Sequence, residues 1–246
     1  MTEHRYSLQL YTLRDSIKTD LAETLRRVAA MGFDNVELWQ FEQYRDEYSR
    51  TLAETGLRPL SAHAMLVRQD ARAALRTAAE LGVGTLIDPR IDAARWATRA
   101  DIEAAAAELN AVAELARDEG ITIGYHNHDH EVRGDFDGRT GLEVFADALD
   151  DDVVLEVDMY WAEVGGVSAA ELVSRLGDRV AFLHAKDGPY SKAVSEQQPL
   201  GKGAMPVVDV LKAAPDAVRV VEFDAYDGDI FAGVEESLRY LVEVDR

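Results

Sequence analysis

Short runs of apolar, β-favouring residues recur along the chain, separated by longer segments whose apolar positions repeat at helical spacing. YSLQLYT (6–12) leads into LAETLRRVAAMG (21–32), which ends at Gly32, a residue suited to a helix C-cap. NVELW (35–39) precedes a helix over 42–55, and LRPLSAHAM (57–65) one over 70–81. VGTLIDP (83–89) precedes the alanine-rich segment 99–119, and ITIGYHNH (121–128) precedes 140–149. VVLEVDMYW (153–161) is followed by 168–176, RVAFLHAKD (179–187) by 205–214 and VRVVEFDA (218–225) by 230–244.

This makes eight strand–helix units with nothing left over. The strands are rich in Val, Ile and Leu and alternate little, as strands buried on both faces do. Strict alternation of strand and helix implies a parallel sheet with right-handed crossovers. Eight units in 246 residues are the size of a (β/α)8 TIM barrel, expected as one domain over 1–246. An open doubly wound sheet is the rival, but the first strand–helix turn, TLRDSIKTDL, has no glycine-rich dinucleotide fingerprint.

In such barrels the chemistry sits at the C-terminal ends of the strands. Glu37, His63, Asp88, His126, His128, Asp158, His184, Lys186, Asp187, Glu222 and Asp224 all fall at those ends, on seven of the eight strands. Alternation puts His126 and His128 on one face of the fifth strand, His184 with Lys186 on the seventh, and Glu222 with Asp224 on the eighth. If that face is the interior, His126, Asp158, His184 and Glu222 converge from adjacent strands. Two imidazoles and two carboxylates suit Mn²⁺, Co²⁺, Zn²⁺, Fe²⁺ or Mg²⁺. Taken singly, a strand-end histidine is more commonly a hydrogen-bonded rim residue, and Asp158 alone can cap the loop that follows it. Glu222 in VVEFD is harder to dismiss, because a carboxylate among apolar neighbours needs a cation or a firm partner. Lys186 either faces substrate or pairs with Asp187. Glu37, His63, Trp39 and Trp161 read equally as a substrate-binding wall or as structural residues. His4 reads as a surface residue, and GKGAMP (201–206) as a plain turn, with phosphate binding at the next helix as the second reading.

Composition narrows the class. A formal charge of −20, from 26 Lys+Arg against 46 Asp+Glu, repels phosphate backbones and argues against a nucleic-acid partner. With no cysteine, disulfides, thiol nucleophiles and cysteine-rich metal sites are excluded. No stretch approaches the ~18 apolar residues of a membrane span, and MTEHRYSLQL lacks the blocks of a secretory signal. The expectation is a cytoplasmic enzyme, for which a homo-oligomer is as compatible as a monomer.

SLQLYTLRD, GFDNVELW, LSAHAM, YHNHDHEV, LEVDMYW, FLHAKD and VVEFD, in this order, resemble the xylose isomerase-like TIM barrels of the sugar phosphate isomerase/epimerase group. The resemblance spans essentially the whole chain. It implies one divalent metal held by an acid on the fifth strand, Asp on the sixth, His on the seventh and Glu on the eighth. The last three fall on Asp158, His184 and Glu222, and the first falls on His126, with His128 as the alternative fifth-strand ligand; inosose dehydratase-like members also carry a histidine-rich fifth strand. In the ketose 3-epimerases the fifth- and eighth-strand glutamates form an acid/base pair, of which only Glu222 is kept. A histidine three residues after the sixth-strand Asp in those enzymes is Trp161 here.

The resemblance implies proton abstraction next to the carbonyl of a carbohydrate, with the metal as Lewis acid to an enediolate. Glu222 is expected as ligand and nearby base, and His128 or Lys186 as the group that returns a proton or assists a departing hydroxyl. Isomerisation or epimerisation is the first expectation and dehydration of an inosose or keto-sugar the second. A catalytically inactive sugar-binding barrel is a third, and a damaged-DNA endonuclease is disfavoured by the charge.

Overall fold

The computed structural model describes residues 5–67 and 70–245, so His4 lies outside the described residues. Eight parallel strands close into a barrel in chain order, β1 pairing with both β2 and β8. They are β1 (Tyr6–Gln9), β2 (Asn35–Leu38), β3 (Arg58–His63), β4 (Thr85–Asp88), β5 (Thr122–His126), β6 (Val154–Asp158), β7 (Val180–Ala185) and β8 (Val218–Val221). Between them run α1 (Arg14–Thr19), α2 (Leu21–Ala30), α3 (Arg45–Thr55), α4 (Arg72–Leu81), α5 (Arg99–Arg117), α6 (Gly141–Ala148), α7 (Met159–Val164), α8 (Ala169–Leu176) and α9 (Val207–Ala213). The last helix, α10 (Ile230–Val244), follows β8.

Every expected strand and helix is present, and local chemistry explains their ends. Gly56 and Gly82 cap α3 and α4 in the left-handed region, at φ 74° each, where a side chain would be strained. Thr140 and Glu143 form a reciprocal capping box at α6. The larger difference lies at the C-terminal ends of the strands, which stop earlier than the apolar runs suggest. Leu10–Leu13 turns into a 3₁₀ helix, its first turn fixed by Tyr11 N donating to Gln9 Oε1 (2.9 Å). After Asp158 the chain enters α7 directly, because Asp158 Oδ1 accepts from Trp161 N (2.9 Å) and caps that helix. The expected capping role of Asp158 is thus real, and it uses only one of the two carboxylate oxygens.

The strands carry two cores. Leu8, Val36, Leu38, Leu86, Ile123, Leu155, Val157 and Leu183 belong to the main core with the apolar stripes of the helices. A separate apolar cluster holds Ile87, Phe182 and Val220, with Val154, Val218 and Leu60 against it. Phe182 lies two residues before His184, Val220 two before Glu222 and Val154 two before Glu156. Alternation therefore puts this plug on the same inward face, beneath the polar residues of the rim. The barrel floor is apolar and its mouth is polar.

The loop after β7 is tied by Asp187, which is buried and accepts from Gly188 N (2.8 Å), Gly201 N (2.8 Å) and Met205 N (3.0 Å). GKGAMP is thus a turn folded onto a carboxylate. Asp187 does not pair with Lys186; the two side chains go to different partners. No helix among the described residues is long and apolar enough to cross a membrane.

Candidate active site

His184 Nε2 lies 2.8 Å from Glu37 Oε1 on β2, so the two side chains meet across the barrel interior. Its other nitrogen, Nδ1, lies 2.6 Å from Glu222 Oε2, just past the end of β8. His184 is the hub that joins two groups of buried polar side chains.

The first group comprises Asp158, His184 and Glu222, each of which brings one donor atom to within 4.8 Å of the others. Lys186 stands among these carboxylates. Its Nζ is 2.9 Å from Asp158 Oδ2, 2.6 Å from Glu222 Oε2 and 2.8 Å from Asp224 Oδ2. Asp158 Oδ2 is buried and, although within ion-pair distance of that ammonium, has no hydrogen bond of good alignment. Asp224 is steadied from the far side by Gln197, whose Nε2 donates to Asp224 Oδ2 (2.7 Å) and whose Oε1 accepts from Asp224 N (2.8 Å).

The second group is His63, His126, Glu156 and His184. Glu156 Oε2 is 2.7 Å from His63 Nε2, 3.1 Å from His126 Nδ1 and 3.0 Å from His184 Nε2. Glu37 adjoins this group, accepting from Gln9 Nε2 and Ser61 Oγ at 2.6 Å each. His126, expected with Asp158 and Glu222, leans toward Glu156, although its Nε2 is still 3.9 Å from Asp158 Oδ2.

Glu156 is the residue that sequence reasoning passed over. It sits two positions before Asp158 in LEVD, so alternation alone points it inward, and a carboxylate among Leu and Val needs a partner as much as Glu222 does. The rings of His126 and His128 lie 5.1 Å apart and both line the cavity, although the strand itself does not reach His128. β5 ends at His126, and His128 lies in the following loop with its N–H donating to Glu131 Oε2 (2.8 Å). His63, Trp39, Tyr11 and Glu222 line that cavity too. Trp161 does not line it; its ring is buried, 6.3 Å from the His128 ring. Asp88 also turns away, accepting from the N–H groups of Leu66, Val67 and Arg90.

Electrostatics follow from this packing. Burial pushes Glu222 up, but Lys186 and then His184 outweigh it and hold the carboxyl well below the usual range. Glu37 is likewise held low against its burial, by His63 and His184. Burial and the Glu37 charge push Glu156 up. His63 is raised to about 10 by Glu37 and Glu156 despite burial, and His184 well above its ordinary value by Glu156 and Glu222. Burial and then Lys186 push His128 down to about 4, and burial with the neighbouring His184 pushes His126 down too. The result is an ionised Glu222, with the His126 and His128 imidazoles favoured as neutral and His63 as the charged form on the same cavity.

That cavity, of about 480 Å³, joins the ionisable groups to a wall containing Tyr11, Trp39, Ala64, Met65 and Pro89. Tyr11 and Trp39 meet edge to face at 5.9 Å between centroids. A polar floor with an aromatic wall fits a small polyhydroxylated ligand. The sequence profile of the xylose isomerase-like TIM barrel family matches residues 25–243. The chain belongs to that family.

Among solved structures of similar architecture is a sugar phosphate isomerase/epimerase from Parabacteroides distasonis ATCC 8503. It is 25% identical, with a TM-score of 0.80 over 98% of this chain and 94% of its own. The IolI protein, solved with a bound zinc atom, is 16% identical, with a TM-score of 0.78 over 98% of both chains. AsbF of Bacillus anthracis, a probable 3-DHS dehydratase, is 13% identical, with a TM-score of 0.72 over 97% of this chain and 98% of its own. No curated protein sequence matches the chain. Like these relatives, this xylose isomerase-like barrel has the architecture of isomerases, epimerases and a dehydratase.

Proposed function

We propose that this barrel is a divalent-metal-dependent isomerase or epimerase of sugars or sugar phosphates, working by proton abstraction next to a carbonyl. The observation that carries the reading is the convergence of Asp158, His184 and Glu222, the last of which lines an aromatic-walled cavity. One nitrogen and two carboxylates form a mixed donor set that suits a borderline or hard divalent ion. Asp158 Oδ2 is buried and faces the Lys186 ammonium at 2.9 Å without a well-aligned hydrogen bond, so this oxygen already sits where positive charge is favoured. Asp158, His184 and Glu222 would hold the ion, and the Nε2 of His184, kept by Glu37, fixes the ring so that Nδ1 faces it. When bound, such an ion supplies Lewis-acid polarisation of a carbonyl oxygen.

The remaining work falls to side chains of the chain itself. Glu222, held ionised, is a base with access to the cavity. Lys186 keeps its ammonium among three carboxylates, which hold its pKa well above the ordinary value, so it serves as a fixed positive charge beside Glu222. His128 opens onto the same space as a neutral imidazole able to take or return a proton. Trp39 offers a face for the apolar side of a sugar ring.

A second reading, dehydration of an inosose or keto-sugar, rests on His128, which lines the cavity and can pass the proton it takes to a departing hydroxyl. Both readings require exchange of a carbon-bound proton with solvent. Incubation with a panel of keto-sugars in D₂O and Mn²⁺, followed by NMR, is expected to show deuterium entering one position of at least one sugar. Glu222→Gln should slow that exchange by about 10²–10⁴-fold. Exchange at the wild-type rate in the variant would clear Glu222 of the base role, and no exchange with any metal would favour a sugar-binding barrel.

A further inference from the structure

Beside the Asp158–His184–Glu222 group, on the β3 side of the barrel, lies the second set of donors centred on Glu156. One of its carboxylate oxygens, Oε2, sits within 3.1 Å of a ring nitrogen from each of His63, His126 and His184. The other, Oε1, is buried and has no hydrogen-bond partner. Crowding three imidazoles on one oxygen while the second is left bare is a poor use of a buried carboxylate, whose desolvation is repaid only when both oxygens are engaged. The nitrogens and the carboxylate converge as ligands do, one donor atom each within 4.8 Å of the rest. His63 and His126 also line the cavity, so an ion has a route in and a coordination position open to solvent.

We propose that His63, His126 and Glu156 bind a second divalent cation next to the first centre. Two imidazoles and one carboxylate are a donor set of zinc enzymes that keep a fourth position for water or substrate. This set is richer in nitrogen than Asp158, His184 and Glu222, so it selects Zn²⁺ or Co²⁺ over Mg²⁺ or Mn²⁺ more strongly than its neighbour does. His184 stays with the first centre through Nδ1, while its Nε2 remains on Glu37 and separates the two sites. His126, expected from the sequence to complete the first centre, belongs here to the second. The inference stands on this donor set and is independent of the reaction proposed above.

The test is a Co²⁺ titration of the chelator-treated full chain, read by visible absorption and by metal analysis after gel filtration. Two equivalents per chain are expected for the wild type. His63→Gln, at the cavity wall, and Glu156→Gln, with nearly the same shape, should each lose one equivalent; Asp158→Asn should lose the other. A wild type that holds a single equivalent, lost in Asp158→Asn and kept in His63→Gln, overturns the second centre and leaves the first standing. Loss in His63→Gln and Glu156→Gln with none in Asp158→Asn supports the second centre and removes the first. Retention of two equivalents in both His63→Gln and Glu156→Gln also overturns the proposal.

Discussion

Lys186 governs the local charge balance. Its ammonium is fully buried and touches Asp158, Glu222 and Asp224, so these carboxylates share one fixed cation. Removing one partner of a buried ion pair leaves an uncompensated charge, at a cost of about 3–5 kcal/mol. Lys186→Met should therefore unfold at lower denaturant when metal-free and recover much of the loss on adding Mn²⁺ or Zn²⁺, since a bound ion replaces the missing charge. Denaturation midpoints with and without metal check this; equal destabilisation in both conditions would separate Lys186 from the cation site. At this scale much was legible in the sequence. Asp158, His184 and Glu222 were found from strand-end position and alternation, and the structure gathers them. Glu156 lies inside β6, two residues before its end, so strand-end position does not mark it. The direction of Lys186 follows the alternation that puts it on the face of His184, both reaching Glu222 Oε2, whereas its choice of Asp158 and Asp224 over the adjacent Asp187 is tertiary.

Strand ends set the position of every group proposed to act at the site, and they were the least legible element. The apolar runs continue past the last ladder pair in LYT, MYW and FDA, so periodicity alone extends β1, β6 and β8 too far. Side-chain caps from Gln9 and Asp158 stop two of these strands, an effect carried by single hydrogen bonds and therefore invisible to a hydrophobic pattern. The loop after β5 shows the same kind of control. Glu131 is buried, accepting from Tyr125 Oη (2.7 Å) and His128 N (2.8 Å), and burial raises its carboxyl to about 7. A carboxyl with a folded pKa above its unfolded value binds more protons when folded. Its contribution is thus fully present below pH 4.5 and lost as pH rises through 7. The size is about 3 kcal/mol by linkage. Urea denaturation of the wild type and Glu131→Gln should show the wild type losing stability relative to the variant between pH 4.5 and 7. A difference that is flat over that range would mean that Glu131 keeps an ordinary pKa.

For the whole molecule, the eight-fold alternation of strand and helix was enough to specify the barrel, because a closed parallel sheet leaves each helix one way to cover it. The family and the closed topology agree with that reading. The barrel brings residues as distant in sequence as Glu37 and Glu222 to either side of one imidazole, above an apolar plug of Ile87, Phe182 and Val220. All of the proposed chemistry depends on that rim holding a divalent ion. A crystal grown with Zn²⁺ and measured across the zinc absorption edge tests this directly. The expected result is an anomalous peak about 2.0–2.3 Å from Asp158, His184 Nδ1 and Glu222, with the Lys186 ammonium withdrawn toward Asp224. A map with no peak among those three side chains, and with Lys186 still bridging Asp158 and Glu222, would contradict it.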